Sequence, residues 1–138
     1  LLNMGTPNYL ISAALTLIMA QRLARKTCLD CRVIDENITP KLLNSIGFLP
    51  EQSSRAKIYK GSGCENCSGS GYKGRMGIYE ILEIDNELKA GVLSNLQQTE
   101  LNAIAKKNGF RAMQDMGQDL LLSGDLSFAE YERVLQSN

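Results

Sequence analysis

The chain has 138 residues, 43% of them hydrophobic and 22% charged, which is enough apolar material for one domain or for two small lobes with a polar surface. Lys plus Arg and Asp plus Glu number 15 each, so the formal net charge is zero, which argues against a dedicated nucleic-acid binder because such proteins need surplus cations to neutralise phosphates. The chain contains no His, which excludes the Ser-His-Asp and Cys-His catalytic arrangements and His-ligated metals.

The first predicted element is a helix over residues 8–26. No Gly or Pro follows Pro7 in this stretch, and its Ala and Leu content favours helix over strand. Arg22 and Arg25 lie in its last turns, where cations suit the negative end of the helix dipole, so we expect them to be solvated or dipole-capping. The apolar run 9–20 is shorter than the roughly 20 residues that span a bilayer. Because the chain does not begin with Met, we expect it to be a fragment. We also expect the apolar face of residues 9–20 to promote self-association of this fragment.

A short helix and a loop are predicted next. Thr39 followed by Pro40 is typical of an N-cap and the first helical position, and Gly47 is placed to end the helix. Residues 50–56 are predicted to be a loop.

Two strands are predicted around a glycine-rich stretch. Residues 57–60 form a short candidate strand, and the Ile, Tyr and Leu content of 75–84 favours a second one. We expect the two strands to pair through Ile58 or Tyr59.

From residue 85 onward the pattern is helical. Helices are predicted over 86–94, 98–107 and 111–122, and a last helix begins at Ser127, which has the capping-box spacing to Glu130. The predicted fold class is therefore α+β and mostly α. It comprises an N-terminal helix, a small four-cysteine zinc lobe with a β-hairpin, and a C-terminal bundle of short helices.

Four cysteines form two identical Cys-x-x-Cys hooks, Cys28 with Cys31 and Cys64 with Cys67. Two hooks offer four thiolates, which is the ligand set that zinc takes tetrahedrally in structural sites. Two disulfides, a redox dithiol and an iron–sulfur site remain alternatives. We expect a structural rather than a catalytic zinc, because four protein thiolates leave no open position for water.

Cations close in sequence to the hooks are expected to offset the net charge of −2 that a four-thiolate zinc site carries. The candidates are Lys26, Arg32, Lys60, Lys73 and Arg75. Since the segment between the hooks has few large apolar residues, metal binding is expected to supply much of its folding free energy.

Several stretches resemble the type II secretion and type IV pilus assembly ATPases. The most specific is Gly-Tyr-Lys-Gly-Arg-Met-Gly-Ile-Tyr-Glu at 71–80, which stands directly beside the second hook. The others are Met-Gly at 4–5, Ala-Gln-Arg-Leu-Ala-Arg at 20–25, the two hooks themselves, and Gly-Phe at 109–110 through Gly-Asp-Leu-Ser at 124–127.

The resemblance implies a RecA-like motor that binds ATP and magnesium in a homo-hexameric ring. Its motion would be passed to an inner-membrane platform protein, so that the parent would be cytoplasmic and peripheral at the inner membrane. It also implies three domains in this chain. They are the terminal helix of the truncated motor core at 1–27, a zinc-binding subdomain at 28–84 and a helical subdomain at 85–138. The four cysteines carry over as zinc ligands.

This chain departs from that family by lacking a Gly-x-x-x-x-Gly-Lys-Ser/Thr phosphate-binding loop and any His. We therefore expect no ATPase activity from it alone, and the expected function is that of a non-catalytic zinc-stabilised module of the parent ATPase. A free-standing zinc-ribbon adaptor that binds another protein is the alternative. A zinc-ribbon nucleic-acid binder is disfavoured by the zero net charge.

Overall fold

The computed structural model of the chain describes residues 4–136, and helices outnumber strands among them, as predicted for a mostly α member of the α+β class. The α-helices of this described part are α1 Asn8–Ala14, α2 Pro40–Ser45, α3 Pro50–Arg55, α4 Asn86–Leu93, α5 Gln98–Lys107, α6 Met113–Ser123 and α7 Phe128–Tyr131. Its strands are β1 Leu17–Thr27, β2 Arg32–Ile34, β3 Tyr59–Gly61 and β4 Tyr72–Glu83. A π-helical turn, Glu132–Gln136, continues α7.

The predicted helix over 8–26 is correct only for its first part. Helix α1 stops at Ala14, Leu15 is extended, and β1 takes over the remainder as a strand paired with β4. An apolar run without a period fits a buried helix and a strand equally well, and the partner strand decided the outcome by satisfying the backbone of β1. No helix within residues 4–136 combines the length and the apolar composition that crossing a bilayer requires.

The strands form two separate two-stranded sheets. Strand β2 pairs antiparallel with β3, so that Ile34 lies opposite Tyr59. The predicted pairing of Ile58 or Tyr59 with the strand over 75–84 is therefore wrong, because β4 is taken by β1, an element that was predicted to be helical.

Helix α3 replaces the predicted loop at 50–56. Pro50 occupies the first helical position, where its missing N–H costs nothing, and the Gln52 side chain accepts a hydrogen bond from the Leu49 N–H at 3.2 Å. The predicted start of α2 is confirmed, since Thr39 Oγ1 accepts from the Leu42 N–H at 3.3 Å.

The chain divides into two compact units. The first contains α1, α4 and α5 with the start of β1 and the end of β4, and in it Asp85 caps α4 by accepting from the Leu88 N–H at 2.8 Å. The second contains the remaining residues of β1 and β4, the sheet of β2 and β3, both cysteine hooks and the C-terminal helices. The predicted three-domain division with boundaries at 27/28 and 84/85 stays a prediction.

The end of β1 is held on two sides within the second unit. The Thr27 N–H donates to the carbonyl of Asp125 at 2.8 Å, and the Cys28 N–H donates to the carbonyl of Gly71 at 2.9 Å. The first cysteine hook therefore starts from a backbone fixed both to the C-terminal helical region and to the loop of the second hook.

The last helix begins at Ser127 as predicted, but the expected reciprocal capping box does not form. Ser127 Oγ accepts from the Glu130 N–H at 3.3 Å, while the fully buried Glu130 carboxylate binds arginines instead. It accepts the Arg25 backbone N–H at 2.8 Å and the Arg25 guanidinium at 2.7 Å, and it also pairs with Arg133. Burial alone would raise the pKa of Glu130, but the hydrogen bonds from Arg133 and Arg25 outweigh it and hold the pKa at about 2.

Candidate metal centre

The four cysteine sulfurs converge on one point of the second unit. All lie within 4.8 Å of one another. The Sγ–Sγ distances are 3.9 Å from Cys28 to Cys64, 3.8 Å from Cys31 to Cys67 and 3.7 Å from Cys64 to Cys67. A tetrahedral ion with metal–sulfur bonds of about 2.3 Å requires sulfurs about 3.8 Å apart, whereas a disulfide joins them at about 2.05 Å. The arrangement therefore fits one tetrahedral metal ion, and all four cysteines are free thiols.

The local fold explains how the hooks meet. Cys28 follows β1 directly and Cys31 precedes β2, so the first hook is the turn between these strands. Cys64 caps a single 3-10 turn, Glu65–Cys67, a few residues after β3, and Cys67 is the last residue of that turn. Because β2 and β3 are paired, the end of one hook and the start of the other lie side by side.

Backbone amides point at the sulfurs. Gly63 N–H donates to Cys31 Sγ at 3.3 Å, and the N–H groups of Cys64 and Gly71 both donate to Cys67 Sγ at 3.2 Å. Such bonds stabilise thiolates, which are the form that binds metal. The hydrogen bond from the Cys64 amide is the largest cause of the lowered pKa of Cys67, about 6, and the bond from the Gly71 amide lowers it further. Burial raises the pKa of Cys64 to about 11.

Glycine is required where the two ends of the loop that carries the second hook pass each other. A Cβ on Gly61 would lie 2.0 Å from the carbonyl oxygen of Gly71, and one on Gly71 would lie 2.6 Å from that of Gly61. Gly71 also has a φ of +75°, which an L side chain rarely adopts. Gly63 and Gly71 also donate their backbone N–H groups to cysteine sulfurs, a function that the sequence pattern did not indicate.

Three of the five cations expected near the sulfurs have other partners. Lys60 pairs with Asp35 at 2.8 Å, and Lys26 lies 3.5 Å from Asp125. Arg32 donates to the carbonyl of Ser123 and stacks over Tyr59, with 5.2 Å from Cζ to the ring centroid. Lys73 lines a small cavity with Lys26 and Asp30, and Arg75 lines a different one. Charge compensation by these side chains stays a prediction.

The arginines of β1 have a structural function that the sequence pattern did not indicate. Arg25 binds Glu130, and Arg22 donates to the carbonyl of Val134. A dipole-capping role is wrong because this segment is a strand. The contact partners lie more than 100 positions away along the chain, so no local pattern could have identified them.

Comparison with known proteins adds independent information. Residues 1–133 match the family described as type II/IV secretion system protein. The chain is 35% identical over 127 residues to the type IV pilus assembly ATPase PilB of Thermus thermophilus, covering 92% of this chain and 14% of that protein. It is 36% identical over 134 residues to the PilB of Pseudomonas aeruginosa, covering 97% of this chain and 23% of that protein.

A relative named for type II secretion matches over nearly the whole chain as well. The putative type II secretion system protein E of Escherichia coli is 32% identical over 132 residues, covering 96% of this chain and 26% of that protein. The chain thus spans between about one seventh and one quarter of the length of these relatives. Since the family match extends over nearly every residue, the chain belongs to the type II/IV secretion system protein family.

Proposed function

We propose that this chain is a non-catalytic, zinc-stabilised C-terminal module of a hexameric ATPase that powers pilin or pseudopilin assembly or protein export. The observation that carries the zinc part is the separation of the four sulfurs, 3.7 to 3.9 Å for the three measured pairs, which matches the edge of a tetrahedral zinc–thiolate site. The names of the relatives, pilus assembly ATPases and type II secretion proteins, support the ATPase part.

Cys28, Cys31, Cys64 and Cys67 would hold the ion. Bound zinc would supply binding free energy that folds the two hooks, of order 10 kcal/mol or more in structural sites. Between the hooks, the large apolar side chains of Leu43, Phe48 and Ile58 are buried. Zinc would therefore fix the hooks and the β2–β3 sheet, while the burial of these side chains would support α2 and α3.

Catalysis belongs to the parent protein in this proposal. The 138 residues contain no phosphate-binding loop and no His, so ATP and magnesium would be bound by a motor domain of the same protein. That motor would form the homo-hexamer and work at the cytoplasmic side of the inner membrane. This module would be rigid enough to transmit its motion to an inner-membrane platform protein.

Metal analysis tests the zinc assignment. The chain prepared without added metal should contain one zinc per molecule, and Cys64→Ser should contain far less. Cobalt in place of zinc should give the absorption bands of a tetrahedral thiolate site. Iron in the purified protein, or four thiols that fail to react with a thiol reagent after denaturation without reductant, would contradict a zinc–thiolate site.

The motor assignment is tested separately. The reading frame that encodes the parent should contain a Gly-x-x-x-x-Gly-Lys-Ser/Thr loop upstream of Leu1, and the 138-residue chain should release no phosphate from ATP. A parent without that loop would instead support the free-standing adaptor that binds another protein.

A further inference from the structure

Three arginines of the second unit line one open cavity. Arg25 and Arg133 both bind the carboxylate of Glu130, which is fully buried beneath them. Arg75 lies with these two arginines around an open cavity of about 500 Å³. We call these three residues the arginine cluster.

The guanidinium groups of Arg25 and Arg133 are held in place before any ligand arrives. Arg25 donates to Glu130 through Nε at 3.1 Å and through Nη2 at 2.7 Å, and its Cζ lies 4.1 Å from the centroid of the Tyr72 ring. Arg133 Nε donates to the same carboxylate at 2.9 Å. Fixing an arginine in this way lowers the conformational entropy that a later hydrogen bond would cost.

These guanidinium groups also remain accessible. The side chain of Arg25 is 49% exposed and that of Arg133 is 53% exposed, although both bind a carboxylate with no exposure at all. Arg75 is exposed as well. The charged side chains that line the cavity are all arginines, so its wall is positively charged.

An apolar side chain completes the cavity wall. Leu23, which is 54% exposed, lies on β1 beside Arg25 and lines the same cavity. A small inorganic anion would use the guanidiniums but would leave Leu23 in water. A protein segment that combines carboxylates with an apolar residue would satisfy both parts of the surface, and arginine forks match carboxylates bidentately.

We propose that the arginine cluster and Leu23 bind an acidic segment of a partner protein, in which Asp or Glu side chains flank an apolar residue. The carboxylates would bind the outward edges of Arg25, Arg75 and Arg133, and the apolar residue would cover Leu23. Electrostatic pairing of this kind gives specificity and a binding affinity that falls as salt rises. The surface is independent of the cysteines, so this proposal goes beyond the metal centre.

The test uses the 138-residue chain with a fluorescent octapeptide of alternating Glu and Leu, measured by fluorescence anisotropy. A matched peptide of alternating Gln and Leu has the same length and apolar content. We expect the Glu peptide to bind at least tenfold more tightly than the Gln peptide, and its affinity to fall as salt is raised. Arg75→Glu should weaken binding of the Glu peptide at least tenfold, since it puts a negative charge on the cavity wall that repels the carboxylates of the peptide.

Two controls separate this surface from general charge effects. Lys57→Glu makes the same change in net charge at an exposed position outside the cluster and should leave the affinity within twofold. Leu23→Ser should weaken binding of the Glu peptide several-fold, and the remaining affinity should still fall as salt is raised. Circular dichroism of each variant should match the parent chain.

Three results would overturn the proposal. Equal binding of the Glu and Gln peptides would remove the electrostatic basis. If Lys57→Glu and Arg75→Glu reduced the affinity for the Glu peptide equally, the peptide would be attracted by the overall charge of the chain and not by this site. Complete displacement of the peptide by inorganic phosphate at low millimolar concentration, together with no effect of Leu23→Ser, would show a site for small anions instead.

Discussion

Replacing Glu130 by Gln should remove one of the largest electrostatic contributions to stability in the second unit. Gln keeps the shape and a hydrogen-bond acceptor but removes the charge that binds Arg25 and Arg133. The pKa of Glu130 is about 2 in the folded chain, against an ordinary value of 4.5. At 1.36 kcal/mol per pKa unit this difference corresponds to about 3 kcal/mol, an upper figure because both guanidiniums are half exposed to water.

The pH dependence follows from the sign of that shift. A carboxyl whose pKa is lowered by folding stabilises the folded state above its unfolded pKa, and this contribution is lost as the pH falls through the folded value. The Glu130 contribution should therefore be complete above about pH 5.5 and should disappear between the ordinary pKa of 4.5 and about pH 2. The unfolding free energies of the parent chain and Glu130→Gln should differ most at neutral pH and converge in acid.

Urea unfolding followed by circular dichroism measures this difference at a series of pH values. Loss of metal in acid affects both proteins alike and cancels in the comparison. Glu36→Gln, a change at an exposed loop carboxylate of the same unit, is the control and should change stability by less than about 0.5 kcal/mol. A difference at pH 7 no larger than that of the control, or one that persists unchanged at pH 2, would refute the ion-pair reasoning.

Three further predictions test other parts of the structure. Cys64→Ser should release zinc and expose the amides of the β2–β3 sheet to hydrogen exchange while α6 stays protected; loss of protection throughout the chain in one step would contradict a locally acting metal. Gly71→Ala should destabilise by at least about 2 kcal/mol, because the new Cβ meets the Gly61 carbonyl and the φ of +75° is unfavourable. Gly74→Ala, which has a similar φ of +80° and no atom within 4 Å, should cost only about 1 kcal/mol, and an equal cost at both positions would argue against the close approach. Ser127→Ala should cost about 1 kcal/mol in thermal or urea unfolding through loss of the α7 N-cap, and no measurable change would show that this hydrogen bond does not stabilise the helix.

Features encoded within a few residues were predictable from the sequence. The N-caps Thr39 and Ser127 and the bounds of α4 and α5 follow from side-chain and backbone contacts three or four positions apart. The cysteine cluster was predictable for a related reason, because the identical spacing of two hooks is informative even though the hooks lie far apart in the chain. Local signals do not always prevail in a prediction: Pro50 and Gln52 are both typical of a helix N-terminus, yet the segment 50–56 is predicted to be a loop and forms α3.

Features decided by distant partners were not predictable. Residues 17–27 have the composition of a helix, yet they form a strand because β4, more than 40 positions later, offers it a ladder of hydrogen bonds. Glu130 has the spacing of a capping residue, but Arg25 offers stronger, charge-assisted hydrogen bonds across 105 positions. Neither competition can be weighed from one sequence, because the winning partner is adjacent only after folding.

The attachment of the last residues of β1 has a mechanical consequence. The amides of Arg25, Thr27 and Cys28 are bound in turn to Glu130, to Asp125 and to Gly71. A tensile load applied along this strand would therefore reach the C-terminal helical region and the cysteine cluster directly through these hydrogen bonds. The two regions would share the load at the end of the strand. Stretching a single molecule from the start of β1 should accordingly give a higher rupture force with metal than after chelation.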